Sequence, residues 1–131
     1  MPDNNAVRIK TDPDPYEAFK IAQAYRVGNL ILVSGQAAID MEGNLVGAGD
    51  FDAQVHGIFA KMEKTLAEAG AALADIVTMT VFITDVANNT RFVELRKQHF
   101  AGDYPASALV TVAALNRPEM MVEIQAVAVT E

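Results

Sequence analysis

Two strand-type segments near the end of the chain, 108–113 and 121–129, constrain the fold more than any other feature. Successive side chains of a strand point to opposite faces, so a half-buried strand is apolar at every second position. Here Val110, Val112, Val122, Ile124, Val127 and Val129 supply apolar groups to both faces. Only two stretches of the chain carry a helical period, enough to cover one side of a sheet. An apolar face left bare is ordinarily closed by another copy of the same chain. The expected architecture is therefore α+β, one mixed sheet with two helices on one face, completed by self-association.

The remaining segments fit that plan. Residues 1–16 are rich in Pro and Asp and read as an irregular lead-in with a short strand at 6–9. Residues 20–27 alternate polar and apolar as a strand does. Gly28-Asn29 is a two-residue hairpin turn. Residues 30–36 form an almost unbroken apolar run, which predicts a strand buried on both faces. Gly43-Asn44 and Gly47-Ala48-Gly49 mark turns; no Lys-Ser/Thr pair follows, so they do not form a nucleotide loop. A helix starts at Asp50 or Asp52, either a good N-cap. Its stripe is Val55, Ile58, Phe59, Met62, Leu66 and Ala69, and Gly70 closes it. Residues 76–84 form a β-branched strand. A second helix is capped by Asn88 or Asn89, turns Phe92, Leu95, His99 and Phe100 inward, and ends at Gly102. Met62, Met79, Met120 and Met121 read as core or interface filler. The order is ββ-α-β-α-ββ, in a single domain over 1–131.

Charge and composition exclude several functions. The chain is 131 residues long with a net charge of −7. That sign repels phosphate backbones, so nucleic acid is not an expected partner. The basic residues are scattered; only Arg91, Arg96 and Lys97 cluster, on one short helix, as a solvated face. No apolar run reaches the roughly 20 residues that span a bilayer. The N-terminus lacks a basic and apolar leader, so a cytoplasmic protein is expected. With no cysteine and two histidines, neither a disulfide nor a zinc site is expected. His56 is read as a surface residue and His99 as a packed core residue.

Four motifs then stand in register. They are Val27-Gly28-Asn29-Leu30-Ile31-Leu32-Val33-Ser34-Gly35-Gln36; Ala67-Glu68-Ala69-Gly70 with Asp75-Ile76-Val77; Thr80-Val81-Phe82-Ile83-Thr84-Asp85; and Tyr104-Pro105-Ala106 with Val122-Glu123-Ile124-Gln125-Ala126-Val127-Ala128. In order and spacing this resembles the Rid (YjgF) family, over about residues 18–130. The resemblance implies a chorismate-mutase-like subunit, a trimeric barrel of three sheets, and small-molecule pockets at the subunit interfaces. It implies hydrolysis of reactive enamines and imines, such as 2-aminoacrylate, to keto acids and ammonia without a cofactor.

The site positions depart from the family pattern. The arginine that follows Pro-Ala and grips a substrate carboxylate is replaced by Ser107. The cysteine two positions later is Leu109, the last-strand glutamate is matched to Gln125, the first-strand tyrosine to Ile21, and a loop asparagine to Ala87. A guanidinium is a charged bidentate fork for a carboxylate, whereas serine offers one neutral hydroxyl. Glutamine orients a water but takes no proton from it. Ser34, Gly35, Gln36 and Gln23 survive. The expected pocket is nearly neutral, with Ser107 and Gln125 as the catalytic pair and Ser34, Gly35, Gln36, Gln23, Ile21, Ala87 and Leu109 around the ligand. Glu123 shares a sheet side with Gln125 and is either a general base, if buried, or half of an ion pair. The expected function is a cofactor-free hydrolase of an enamine- or imine-like metabolite other than 2-aminoacrylate. The alternative is a non-catalytic trimer that senses a small molecule or binds a protein. A ribonuclease role is disfavoured by the charge.

Overall fold

The computed structural model describes residues 4–131; the first three residues of the expected lead-in lie outside them. Six strands form one sheet: β1 (Val7–Ile9), β2 (Ala24–Val27), β3 (Leu30–Ala37), β4 (Ile76–Ile83), β5 (Ala106–Thr111) and β6 (Val122–Val129). Their order across the sheet is β1-β2-β3-β6-β4-β5. Only the β4–β5 pair is parallel. Thus β5 and β6, successive in the chain, are not neighbours; β6 is inserted between β3 and β4.

Two helices, α1 (Phe51–Glu68) and α2 (Asn89–Lys97), cover one face. The Asp50 side chain accepts from the Ala53 N–H at 3.0 Å and caps α1. Gly70 follows with a φ of 78°, the left-handed residue that lets the helix stop. The α1 stripe of Val55, Ile58, Phe59, Met62 and Leu66 is fully buried. It packs on Ile31, Val33, Met79, Val81, Ile83, Val122, Ile124, Ala126 and Ala128, with Phe92 and Leu95 of α2 joining the same core. A 3-10 turn at Val86–Asn88, capped by Asp85, leads into α2.

Several expectations are corrected. The strand predicted over 20–27 begins only at Ala24, because Glu17–Phe19 make a 3-10 turn and Lys20 has a left-handed φ of 62°. Strand β3 is buried on one face only: Ile31 and Val33 are inside, while Leu30 and Leu32 remain 42% and 45% exposed. β5 starts two residues before the expected segment. α2 ends at Lys97, short of Gly102.

His56 is not a plain surface residue. Its Nδ1 meets Nε2 of His99 at 2.8 Å, which ties α1 to the end of α2, and His99 stacks on Phe59 at 4.4 Å between ring centres. His99 is half-buried. Burial, and then His56, hold His99 below its ordinary value of 6.5, with Glu63 opposing. The folded state therefore binds fewer protons than the unfolded chain below that value. The contribution is complete above pH 6.5 and is lost as the pH falls from there through the lowered folded-state value. Chemical denaturation at pH 7.5 and 5.5 is expected to show lower stability at the acid end, and His99→Gln is expected to flatten the difference. Leu66→Ala, which empties a fully buried site, is expected to cost about 2–5 kcal/mol by the same assay.

Candidate functional site

The pocket is built by a fault in the β3–β6 ladder. Val33 pairs with Ala126 and Gln36 with Ile124. Two residues, Ser34 and Gly35, therefore stand opposite Gln125 alone. Such a bulge bends the strand and shifts its alternation by one residue. Gln36 consequently turns inward beside Ile124, while Ser34 and Gly35 open onto the face without helices. There they line a cavity of about 430 Å³ with Gln125, Glu123 and Ile21. Tyr16, Phe19, Ile39 and Met120 form its apolar wall, and Asn116 also faces it.

Each polar group has a definite state. Ser34 Oγ donates to the Ala22 carbonyl at 2.6 Å. Its hydrogen is thus taken, and toward the cavity the hydroxyl can only accept. Tyr16 Oη donates to the Gly35 carbonyl at 2.8 Å and accepts from the Ala37 N–H at 3.3 Å. Burial holds this phenol well above its ordinary range. A Cβ at Gly35 would lie 2.5 Å from Glu123 Oε2. A methyl there would oblige the Glu123 side chain to move aside, so the glycine is what lets the carboxylate lie against this strand. Glu123 is half-buried. Burial raises its carboxyl above the usual carboxylate range, and Lys61 pulls it partly back.

The other predicted residues do not converge on this cavity. Ser107 pairs with Met79, whose side chain lies in the helix-covered core, so Ser107 points to the face opposite Gln125. Its Oγ accepts from Arg96 Nη1 at 3.0 Å. The guanidinium also packs over the Phe92 ring at 5.3 Å, and burial lowers its pKa. Arg96 is therefore not simply part of a solvated basic face. Arg91, by contrast, is exposed and paired with Asp52 and Glu94. Leu109, in step with Ser107, packs against the core. Ala87 sits in the Asp85-capped turn, exposed. Gln23 and Gln36 are fully buried. Gln23 is taken up by Thr11, whose N–H it accepts at 2.6 Å. Gln36 donates to the Ser34 carbonyl at 3.1 Å, while its Oε1 has no partner among the described residues. No group of three or more potential metal ligands occurs among the described residues.

The expectation of a nearly neutral pocket is thus corrected by Glu123. Sequence reasoning also missed Tyr16, Phe19, Asn116, Met120 and the buried Lys61 behind the wall. One signal was present for Lys61: it falls between Ile58 and Thr65 on the buried face of α1, where a lysine is out of place.

The open mixed sheet with its two helices agrees with the comparisons to known proteins. The family model described as Endoribonuclease L-PSP matches residues 10–130. The chain belongs to the Rid (YjgF) family. A Rid relative from Pyrococcus abyssi, described as a RutC family protein, is 32% identical over 94% of this chain and 96% of its own. The crystal structure of RidA from the Antarctic bacterium Psychrobacter superposes with a TM-score of 0.87 at 32% identity, covering 95% of this chain and 99% of that one. The E. coli YjgF gene product gives 0.85 at 27% identity, over 95% and 99%. The Rid fold accounts for the open mixed sheet with two helices. No helix among the described residues is long and apolar enough to cross a membrane.

The contact between residues 35 and 123 is directly testable. Gly35→Ala should destabilise the fold, and Glu123→Ala should relieve much of that loss. The double-mutant cycle, read by denaturant midpoints, is expected to give a coupling on the order of 1 kcal/mol.

Proposed function

We propose that this Rid protein is a cofactor-free hydrolase of a small imine or enamine, acting in pockets that a neighbouring copy completes. The observation that carries the reading is Glu123: a half-buried carboxylate in the cavity, with Gln125 and Ser34 beside it. A carboxyl raised by burial is a competent proton acceptor once ionised. Glu123 takes a proton from water as its oxygen bonds to the C=N carbon. Gln125 orients that water, and Ser34, able only to accept, receives an N–H of the substrate. Glu123 returns that proton to the nitrogen, then passes the carbinolamine's hydroxyl proton to the same nitrogen as the C–N bond breaks, which leaves a C=O bond and ammonia. Water and imine go in; ketone and ammonia come out.

The opposite placement of Ser107 and Gln125 supports assembly. Within one chain they lie on different faces, so both can serve a single ligand only if two copies meet. The exposed Leu30, Leu32 and Val110 mark the surface to be covered. We take the assembly to be the family's trimer, with the edge strand β5 of one copy against the cavity of the next. Arg96 then bears on the substrate class. Bonded to Ser107 Oγ, it brings a guanidinium to the position where the family pattern has an arginine. Its other N–H donors, with the Ser107 hydroxyl hydrogen, suit a carboxylate. An imino acid with an apolar side chain fits this charge arrangement and the Tyr16–Phe19 wall.

Imino acids generated in situ by an amino-acid oxidase, with semicarbazide as the competing trap, test the reading. Accelerated release of ammonia and keto acid is expected, and Glu123→Gln should lower kcat about 10²-fold or more. Arg96→Gln should mainly raise KM for substrates with a carboxylate. No acceleration over a panel of imino acids would refute the proposal. Leu32→Lys is expected to reduce the sedimenting mass from three copies of the 14.1 kDa chain to one.

A further inference from the structure

The mechanism leaves unused a buried cation directly behind the cavity wall. Lys61 of α1 is 4% exposed. Its ammonium donates to the Ala37 carbonyl at 2.8 Å and to Tyr16 Oη at 3.3 Å, and lies 4.9 Å from the centre of the Tyr16 ring. Tyr16 in turn holds the Gly35 carbonyl. The Glu123 carboxylate rests on Gly35. Lysine, phenol, bulge backbone and carboxylate are therefore one contiguous chain. No salt bridge pairs Lys61 with an acid among the described residues. The charged or titratable groups that act on it are Glu123, Asp40 and the Tyr16 phenol. A buried ammonium without direct ion pairing costs folding free energy, and an apolar residue would fill the α1 stripe at lower cost.

We propose that Lys61 is a positioning residue for the pocket carboxylate: through Tyr16 it holds the bulge on which Glu123 rests, and it sets a positive charge behind that carboxylate. The inference rests on the reading of Glu123 as the base, but it concerns a property measurable without any substrate. Charge and geometry act together. The ammonium lies too deep to touch a ligand, so it favours the carboxylate anion without neutralising it by direct contact. Tyr16, its proton directed to Gly35, keeps the Ser34–Gly35 backbone from relaxing the bulge. Burial pushes Lys61 down to about 8. The countercharge is therefore present at neutral pH and is withdrawn at mildly alkaline pH.

The test is a carbon-13 NMR titration of the Glu123 side-chain carboxyl in the assembled protein. In the wild type, the Glu123 resonance should show its own titration step and a second, smaller inflection near pH 8, where Lys61 loses its proton. In Lys61→Met, which keeps an unbranched apolar stem and removes the ammonium, the Glu123 midpoint should move upward and the second inflection should vanish. Tyr16→Phe should keep the inflection but shift the Gly35 resonances. An unchanged Glu123 midpoint in Lys61→Met, or a wild-type resonance with no inflection near pH 8, would overturn the proposal. If Lys61→Met does not fold, the wild-type inflection decides alone. A Glu123 that titrates like a free carboxylate yet responds to Lys61 would count against its role as base and leave the coupling standing.

Discussion

Strand β6 lies between β3 and β4, and everything else in the molecule depends on its alternation. Val122, Ile124, Ala126 and Ala128 enter the core beneath α1. The residues between them face the uncovered side. Burying one row fixes the register, since a slip by one residue would exchange the two rows and expose the core. The same alternation that secures the hydrophobic face therefore delivers Glu123 and Gln125 together to the other. Stability and site are two sides of one strand.

The bulge turns that platform into a cavity. A regular β3 would have carried Gly35 inward and Gln36 outward. The extra residue opposite Gln125 reverses this, sends Gln36 into the core, and leaves Ser34 and Gly35 at the rim. The cost is visible in the Gln36 Oε1 that lacks a partner among the described residues. Tyr16 compensates elsewhere by bonding both the Gly35 carbonyl and the Ala37 N–H. A segment outside the sheet thus holds the fault in place.

Electrostatics then divide the chain's few useful charges by depth. The surface pair of Arg91 with Asp52 is solvated on both sides and contributes little. Glu123, Lys61 and Arg96 are each withdrawn from water to some degree, where charge interactions are stronger. Lys61 stays behind the wall, Glu123 faces the cavity, and Arg96 leans on the far edge strand.

Much of this was legible in the residues. The helical stripe of α1, a cap at Asp50 or Asp52, the Gly28-Asn29 turn and the strand periods follow from local sterics and from the 3.6- and 2-residue repeats, which operate along the chain. The apolar character of both strand faces likewise anticipated the exposed Leu30, Leu32 and Val110. The pairing of strands was not legible, because backbone hydrogen bonds are common to all residues and do not encode which strand lies beside which. That pairing put β6 between β3 and β4, placed two residues opposite Gln125, and sent Ser107 and Gln125 to opposite faces. It also brought Lys61 and the two histidines to partners far away in the chain. Helix α1 with its cap and the approximate places of most strands were determined by the sequence itself; the carboxylate's neighbours were decided only when the sheet assembled, since burial and charge depend on distances that local periodicity does not contain.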